Sequence, residues 1–463
     1  MKYDLAIVGS GGAGFAAAIA ATTKGLRVLM AEQGTVGGTC VNVGCIPSKT
    51  LLAAAAARRV ALEQRFPGVA THAGGVDMAA LVGGKQEIVD ALRQEKYQDL
   101  AQSYGWEIRQ GRARFVAGPA LEIGGERIEA EHFLVATGAS PWIPPVAGLA
   151  HGPYLTSTTA LALDRVPQSL LVVGGNSVGL ELGQLFARLG SRVTLVEALP
   201  RLAPGEEPEV SEAITSALAD EGIEIHVSAP LAAVAWDTAG ARARLGDSAG
   251  REVAAEMLLM ATGRRPNTGD LGLETVGVRV GERGEVTVDA ELRTANPRIW
   301  GAGDVIGAPQ FVYVAGAHGT AVVNNAFFSA GQRPDYQHLP RVTFTSPAIA
   351  TVGMTDAQAV ESGRDCLCSV LPLAYVPRAI VSRDTRGLVK IVAEAGSRRV
   401  LGVHIVADQA GEMVLAASYA LESGLTVDQL AERWCPYLTM GEAIKLAAQS
   451  FDRDVSKLSC CAA

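Results

Sequence analysis

Apolar positions follow two rhythms along the chain. Asp4 to Ser10 is a continuous apolar run without alternation, closing on Gly9-Ser10-Gly11-Gly12-Ala13-Gly14, and an alanine-rich stretch then continues to about Lys24. A short apolar run bounded by glycine predicts a buried strand, and the stretch behind it predicts a helix. A second strand, Arg27 to Met30, runs out at Glu32. The same plan returns at Ser169 to Val173, which leads into Gly174-Gly175-Asn176-Ser177-Val178-Gly179, a predicted helix through Leu189, and a strand Arg192 to Val196 that closes on Glu197. Each unit is followed by one shared phrase, Ala136-Thr137-Gly138 in the first case and Ala261-Thr262-Gly263 in the second. A duplicated supersecondary plan is a stronger signal than either glycine motif alone.

Beyond about residue 340 no third glycine motif appears. Predicted strands at 387–392 and 401–406 alternate there with predicted helices at 408–424 and 440–450. The fold class is therefore α/β, with two Rossmann-like nucleotide-binding domains and a carboxy-terminal α+β domain whose lack of a cofactor motif points to subunit association.

A GxGxxG string is weak by itself in a chain with 52 glycines, so context decides. Gly9, Gly11 and Gly14 permit a tight turn, close approach of a pyrophosphate to backbone amides and close packing of helix on strand, and Glu32 suits a ribose 2′-hydroxyl. In the second unit Asn176 stands where the middle glycine is expected, while Gly174, Gly179 and Glu197 keep the pattern. A carboxylate at Glu197 bonds a free ribose and repels a 2′-phosphate, which by itself favours NADH over NADPH.

Composition narrows the class. With 463 residues the chain exceeds one domain, and a net charge of −8 offers no basic excess for nucleic acid. No apolar run reaches the ~20 residues of a membrane span, and the amino-terminal run is too short for a secretory leader, so a cytoplasmic protein is expected. Seven cysteines, at 40, 45, 366, 368, 435, 460 and 461, do not form a secreted disulfide framework.

The most informative stretch is Gly37-Gly38-Thr39-Cys40-Val41-Asn42-Val43-Gly44-Cys45-Ile46-Pro47-Ser48-Lys49. Two thiols four residues apart, after a dinucleotide unit and before a predicted helical run from Ser48 to Gln64, suit a redox disulfide beside a flavin. Cys366 and Cys368, with no histidine or further cysteine nearby, read as structural, and Cys435 reads as packing.

On these residues the chain resembles the pyridine nucleotide-disulfide oxidoreductases, a likeness that spans essentially its whole length and includes the Gly301-Ala302-Gly303-Asp304 phrase. The resemblance implies a glutathione reductase-like division: an FAD-binding domain at 1–149, an NAD(P)H-binding domain at 150–268, the remainder of the FAD-binding region at 269–339, and a dimerisation domain with a Cys-Cys tail at 340–463. It implies that Cys40 is the interchange thiol and Cys45 the charge-transfer thiol. Lys49 would approach the flavin and pair with Glu181. FAD contacts are implied at Gly9, Gly11, Gly14, Glu32, Gly38, Thr39, Lys49, Thr137, Gly138, Gly303 and Asp304, and nicotinamide nucleotide contacts at Gly174, Gly179, Glu181, Glu197 and Gly263. A homodimer is implied, each active site being completed by the partner.

Many members carry a histidine and a glutamate near the carboxy terminus, because a substrate thiol needs a general acid and base. Here Tyr437 occupies the histidine place and Glu442 the acid's, and the tail carries Cys460 and Cys461. This combination resembles the mercuric reductase branch. It implies NADPH-driven reduction of Hg(II), delivered as thiol complexes, with Cys40, Cys45, Cys460 and Cys461 as metal ligands and Tyr437 beside the ion. Because the sequence starts at the flavin unit, hand-off is expected from small-molecule thiols or a separate carrier. Competing expectations are a dihydrolipoamide dehydrogenase-like or other disulfide reductase, and a thiol protein that binds metal without turnover.

Overall fold

The computed structural model describes residues 3–307 and 309–458; Cys460 and Cys461 lie outside the described residues. The first apolar run forms strand β1 (Tyr3–Val8), whose last four residues are all buried. A strand covered on both faces requires this continuous apolar pattern. Helix α1 (Gly12–Thr23) follows the glycine turn, and strand β2 (Val28–Glu32) lies parallel to β1. The five-stranded sheet runs in the order Ile299–Gly301, Ala130–Val135, β1, β2, Glu107–Gln110. The chain therefore leaves this sheet, builds a second unit, and returns near residue 300 to complete the first.

The cysteine segment departs from expectation. It opens with a short helix α2 (Gly38–Asn42), and the long helix α3 (Cys45–Glu63) begins at Cys45 itself, ahead of Ser48. Gly44 supplies the break between them. The second unit contains strand β3 (Ser169–Val173), helix α4 (Ser177–Leu189) and strand β4 (Arg192–Val196), in a four-stranded parallel sheet ordered Glu224–His226, β4, β3, Met257–Met260. A two-stranded ribbon, Ala139–Pro141 against Arg264–Pro266, ties the two units together directly after their shared phrases.

Helix α5 (Val312–Phe328) leads into the carboxy-terminal domain. Its antiparallel sheet is ordered Arg341–Thr343, Ala348–Gly353, Val400–Ala407, Leu388–Glu394, Cys366–Pro372, with helices Ala410–Glu422 and Glu442–Gln449. Every residue of the Val400–Ala407 strand is buried, so it is the centre of the domain.

One apolar core joins the parts. Leu51 and Ala55 of α3 pack in the same cluster as Leu180 and Leu185 of α4 and Ile349, Leu388 and Val406 of the carboxy-terminal sheet. Polar contacts reinforce this seam. Gln184 and Ser346 exchange hydrogen bonds, Nε2 to carbonyl and backbone N–H to Oε1, both 2.8 Å. Arg188 forks onto Glu221 at 2.6 and 2.8 Å and also reaches the Ser346 carbonyl.

One helical stretch, Gly38–Glu63, is long and apolar enough to cross a membrane by length and composition, and 28% of its most apolar window is buried. It is interrupted at Val43 and Gly44, and its Lys49 is bonded to Glu181 of another unit.

Arg188 and Glu221 keep only 6% and 1% of their side-chain surface, and removing Arg188 leaves the buried Glu221 with only the longer contacts to Arg386 at 3.3 Å and Gln184 at 3.1 Å. Because a partner remains, Arg188→Met is expected to cost about 3 kcal/mol, the low end for breaking a buried pair. It should lower the thermal transition of the holoprotein clearly, and a transition unchanged within a degree or so would contradict the role given to this seam.

Candidate active site around Cys40 and Cys45

The cysteine segment reaches the first glycine turn because both approaching backbones lack side chains. Gly38, at φ 65°, is so placed that a Cβ would lie 2.5 Å from the Gly11 Cα. Asn42 secures the bend by donating to the carbonyls of Val36 and Gly38, and it accepts from Arg93 at 3.1 Å. Cys40 thus sits in α2 and Cys45 at the first turn of α3, both partly buried and both free thiols.

Their environments are unequal. The Cys45 thiol is lowered to about 7, first because the Cys40 thiol donates a hydrogen bond to it and then because Lys49 lies close, against an opposing effect of burial. The position at the start of a 19-residue helix acts in the same direction. Cys40 is held far above the ordinary thiol range by giving that bond and by burial. The pair therefore releases its first proton at Cys45, leaving a thiolate there and a thiol at Cys40.

Lys49 Nζ donates to Glu181 Oε2 at 2.7 Å, and the other Glu181 oxygen accepts the backbone N–H of Phe344 at 2.9 Å. The Lys49 ammonium also lies 4.5 Å from the centre of the Phe344 ring. Helix α3, helix α4 and the carboxy-terminal segment thus converge on one buried carboxylate.

The two glycine motifs are built alike. Gly9, at φ 107°, and Gly174, at φ 114°, each lie against an alanine carbonyl of the following phrase, Ala136 and Ala261 respectively, where any Cβ would collide. Glu32 accepts from Ser10 N–H at 3.1 Å, Ser10 hydroxyl at 2.6 Å and Gly34 N–H at 2.6 Å. Glu197 accepts from Gly175 and Leu199 N–H at 2.6 and 2.8 Å. Gly11 has nothing closer to its missing Cβ than Gly38, which leaves an open backbone surface ahead of α1. Gly14 and Gly179 bring the start of each helix against the turn. These surfaces fit the pyrophosphates of FAD and of a nicotinamide nucleotide.

Thr137 and Gly138 are latched across the units: Thr137 Oγ1 donates to the Asn267 carbonyl at 2.6 Å, and Asn267 returns a bond to the Thr137 carbonyl. Gly263 precedes the strand Arg264–Pro266, and Arg264 lies 3.8 Å from Asp304. Burial raises the Asp304 carboxyl, against the pull of Arg264. The Gly303 N–H donates to His318 Nδ1 at 3.2 Å, and His318 Nε2 pairs with Tyr336 at 2.7 Å. Burial drives His318 down to about 4, so it stays neutral and its Nδ1 remains an acceptor.

Tyr437 and Glu442 lie on the carboxy-terminal domain, the first in the segment before the helix Glu442–Gln449 and the second at its first residue. Tyr437 is 46% exposed, whereas Glu442 is buried and its carboxyl is raised by that burial. Cys435 is partly exposed, in place of the buried packing expected of it.

Sequence reasoning missed Tyr97. It lies in a single π-helical turn, Gln94–Gln98, directly after the helix Met78–Arg93. Its ring packs edge-on against Phe15 at 4.7 Å, and its hydroxyl is raised by burial and then by the charges of Cys40 and Cys45. A π-turn is a frequent mark of a functional position, but neither glycine spacing nor apolar rhythm announces one.

The chain matches the family described as "Pyridine nucleotide-disulphide oxidoreductase" over residues 3–319, and the corresponding "dimerisation domain" over residues 339–448. It is 56% identical over 467 aligned residues to the mercuric reductase of Streptomyces lividans, covering 99% of this chain and 98% of that one. It is 48% identical over 461 residues to the mercuric reductase of Bacillus cereus, covering 99% and 73%. Among solved structures, the HOCl-induced flavoprotein disulfide reductase RclA from Escherichia coli superimposes with a TM-score of 0.87 at 31% identity, covering 96% and 99% of the two chains. LpdA from Mycobacterium tuberculosis gives 0.87 at 28% identity, covering 97% and 100%.

The thiol asymmetry has a measurable sign. A lowered acid keeps its anion above about pH 7 and loses it below. In the reduced protein, alkylation of Cys45 should rise through that pH, and Lys49→Met should move the midpoint upward; an unmoved midpoint would show that the ammonium does not act on Cys45.

Proposed function

Because the chain belongs to the pyridine nucleotide-disulphide oxidoreductase family, we propose that it is a flavoenzyme that reduces Hg(II) to Hg(0) with a nicotinamide nucleotide. The overall change is NAD(P)H plus Hg(II) giving NAD(P)+, Hg(0) and one proton. The observation that carries the substrate is the pairing of an asymmetric dithiol with Tyr437, a phenol where thiol-exchanging relatives place an imidazole. A disulfide substrate needs a proton donor for its leaving thiolate; a metal ion needs soft ligands and no such donor.

When bound, FAD would be held by the Gly9 turn, Glu32, the Gly38–Thr39 segment, Thr137–Gly138 and Asp304, and would supply the two-electron link between nicotinamide and thiols. The chain's own residues do the rest. Cys45, as thiolate, and Cys40 form the inner pair that holds the ion, and Lys49 keeps the Cys45 charge stable while its own charge is balanced by Glu181. Cys460 and Cys461 of the partner chain collect Hg(II) from thiol complexes in solution and pass it inward. Tyr437 of that same partner closes over the ion, opposite Tyr97, while Glu442 stays buried within its own domain. Each transfer exchanges one sulfur–mercury bond for another, so the ion is never released to water.

The second glycine unit, with Gly174, Gly179, Glu181, Glu197 and Gly263, binds the nicotinamide nucleotide. Glu197 is buried with both oxygens on backbone N–H groups, and its position disfavours a 2′-phosphate, so NADH should serve at least alongside NADPH. Glu197→Gln is expected to shift the NADPH to NADH ratio of kcat/KM toward NADPH by about tenfold, on the order of 1.4 kcal/mol.

The deciding assay is nucleotide oxidation by FAD-loaded protein. Consumption should require Hg(II) in excess small thiol, release Hg(0), and be negligible with glutathione disulfide or lipoamide. Replacing Cys460 and Cys461 together by alanine should cut turnover of thiol-bound Hg(II) by roughly 10²-fold, since a tethered relay acts through effective concentration. Rapid disulfide turnover without Hg(II)-dependent oxidation would establish the disulfide reductase instead, and Hg(II) binding with no nucleotide oxidation would establish a metal-binding protein.

A further inference from the structure

Cys366 and Cys368 stand apart from the inner pair, on the edge strand of the carboxy-terminal sheet. Being two residues apart on one strand they point to the same face, where their partners across the strand pair are Glu394 and Val392. That face is covered at Cys366, which packs against Ala359 and the buried Val392, and opens toward Cys368. A shallow depression of about 640 Å³ lies between the strand and the helix Asp356–Glu361, lined by Asp356, Val360, Glu361 and both cysteines. Cys368 is exposed and Cys366 partly so, and the Cys366 thiol lies 3.9 Å from the Asp356 carbonyl at the start of that helix.

The strand sets what such a pair can do. Residues two apart on a strand have Cα atoms about 6.6–6.8 Å apart, at the upper limit for a disulfide. Closing one would buckle the edge and break the register with Glu394 and Val392. With metal–sulfur bonds near the ~2.3 Å of zinc thiolates, a linear S–metal–S unit spans roughly twice that, and it fits between side chains on one face without moving the backbone. Among the described residues no cluster of three or more His, Cys, Asp or Glu is arranged to hold a metal. The pair therefore suits only an ion content with two sulfurs.

The charge around the depression points the same way. Behind it the buried Lys390 donates to Glu207 at 3.0 Å, Glu209 at 3.0 Å and Asp356 at 2.9 Å, so its ammonium is committed to carboxylates. Glu361 adds a further acid at the lining.

We propose that Cys366 and Cys368 form a second thiophilic site that holds one Hg(II) per chain in two-coordinate form, separate from the Cys40–Cys45 pair. Loading is ligand exchange without change of oxidation state. The two bonds from Hg(II) to small-molecule thiolates break, two bonds to the cysteine sulfurs form, and the two cysteine protons leave with the departing thiolates. The ion there has no part in turnover.

The test is Hg(II) stoichiometry of the FAD-loaded full chain by native mass spectrometry in excess cysteine, for wild type and for the double variant C366S/C368S. The variant should bind one Hg(II) fewer per chain while Hg(II)-dependent nucleotide oxidation stays unchanged; equal stoichiometry would overturn the proposal. A second measurement needs no substitution. In wild-type protein, added Hg(II) should protect Cys366 and Cys368 from alkylation together, read by peptide mass. Protection of neither, or of one alone, would overturn it. Turnover is read separately from both, so failure of the reductase assignment leaves this test intact.

Discussion

The Glu181 carboxylate is the constraint on which the rest of the arrangement depends. One oxygen takes the Lys49 ammonium from the helix that begins at Cys45, and the other takes the Phe344 backbone N–H from the carboxy-terminal segment. A buried carboxylate held from two sides is costly to leave unpaired, so the three parts of the chain that meet there are fixed relative to one another. The apolar core shared by α3, α4 and the carboxy-terminal sheet gives this junction its rigidity. An active site assembled from separate units needs such a fixed point, because thiol, cofactor and metal chemistry all tolerate little displacement.

From that junction follows the inequality of the two thiols. Lys49 cannot relax toward solvent while it is bonded to Glu181, so its charge stays on the Cys45 side. The break at Gly44 starts a long helix at Cys45, and the approach of Gly38 to Gly11 presses the whole segment onto the first glycine turn. Geometry thereby decides which sulfur is the anion, a distinction that the spacing of the two cysteines alone does not carry.

Much of the fold was legible because its signals are local. A continuous apolar run ending in glycine can only be a buried strand feeding a turn, and the repetition of that plan, with its Ala-Thr-Gly phrases, marks both nucleotide units. The boundaries were less legible: α3 was expected from Ser48 and begins at Cys45, since Ile46 and Pro47 are compatible with a first helical turn that no spacing rule announces. Tyr97, His318, Tyr336 and Asn267 escaped detection for another reason. Each acts through a partner in another element, as in His318 accepting from Gly303 and Asn267 latching Thr137 across 130 residues, and a single sequence carries no sign of such pairings. Cys366 and Cys368, alike in sequence, differ in the structure because the helix Asp356–Glu361 packs over the first, through Ala359, and leaves the second exposed.

The four-thiol account makes a claim about two chains: the inner pair of one subunit is served by the tail and Tyr437 of the other. The most direct measurement is Hg(II)-dependent NAD(P)H oxidation by a hybrid dimer, one subunit carrying Cys40→Ser and the other carrying Cys460→Ala with Cys461→Ala. Each parent homodimer has lost one half of every site, whereas the hybrid keeps one intact site across the interface. The account predicts that the hybrid recovers about half of wild-type turnover, one working site in two. A hybrid as inactive as its parents would contradict it.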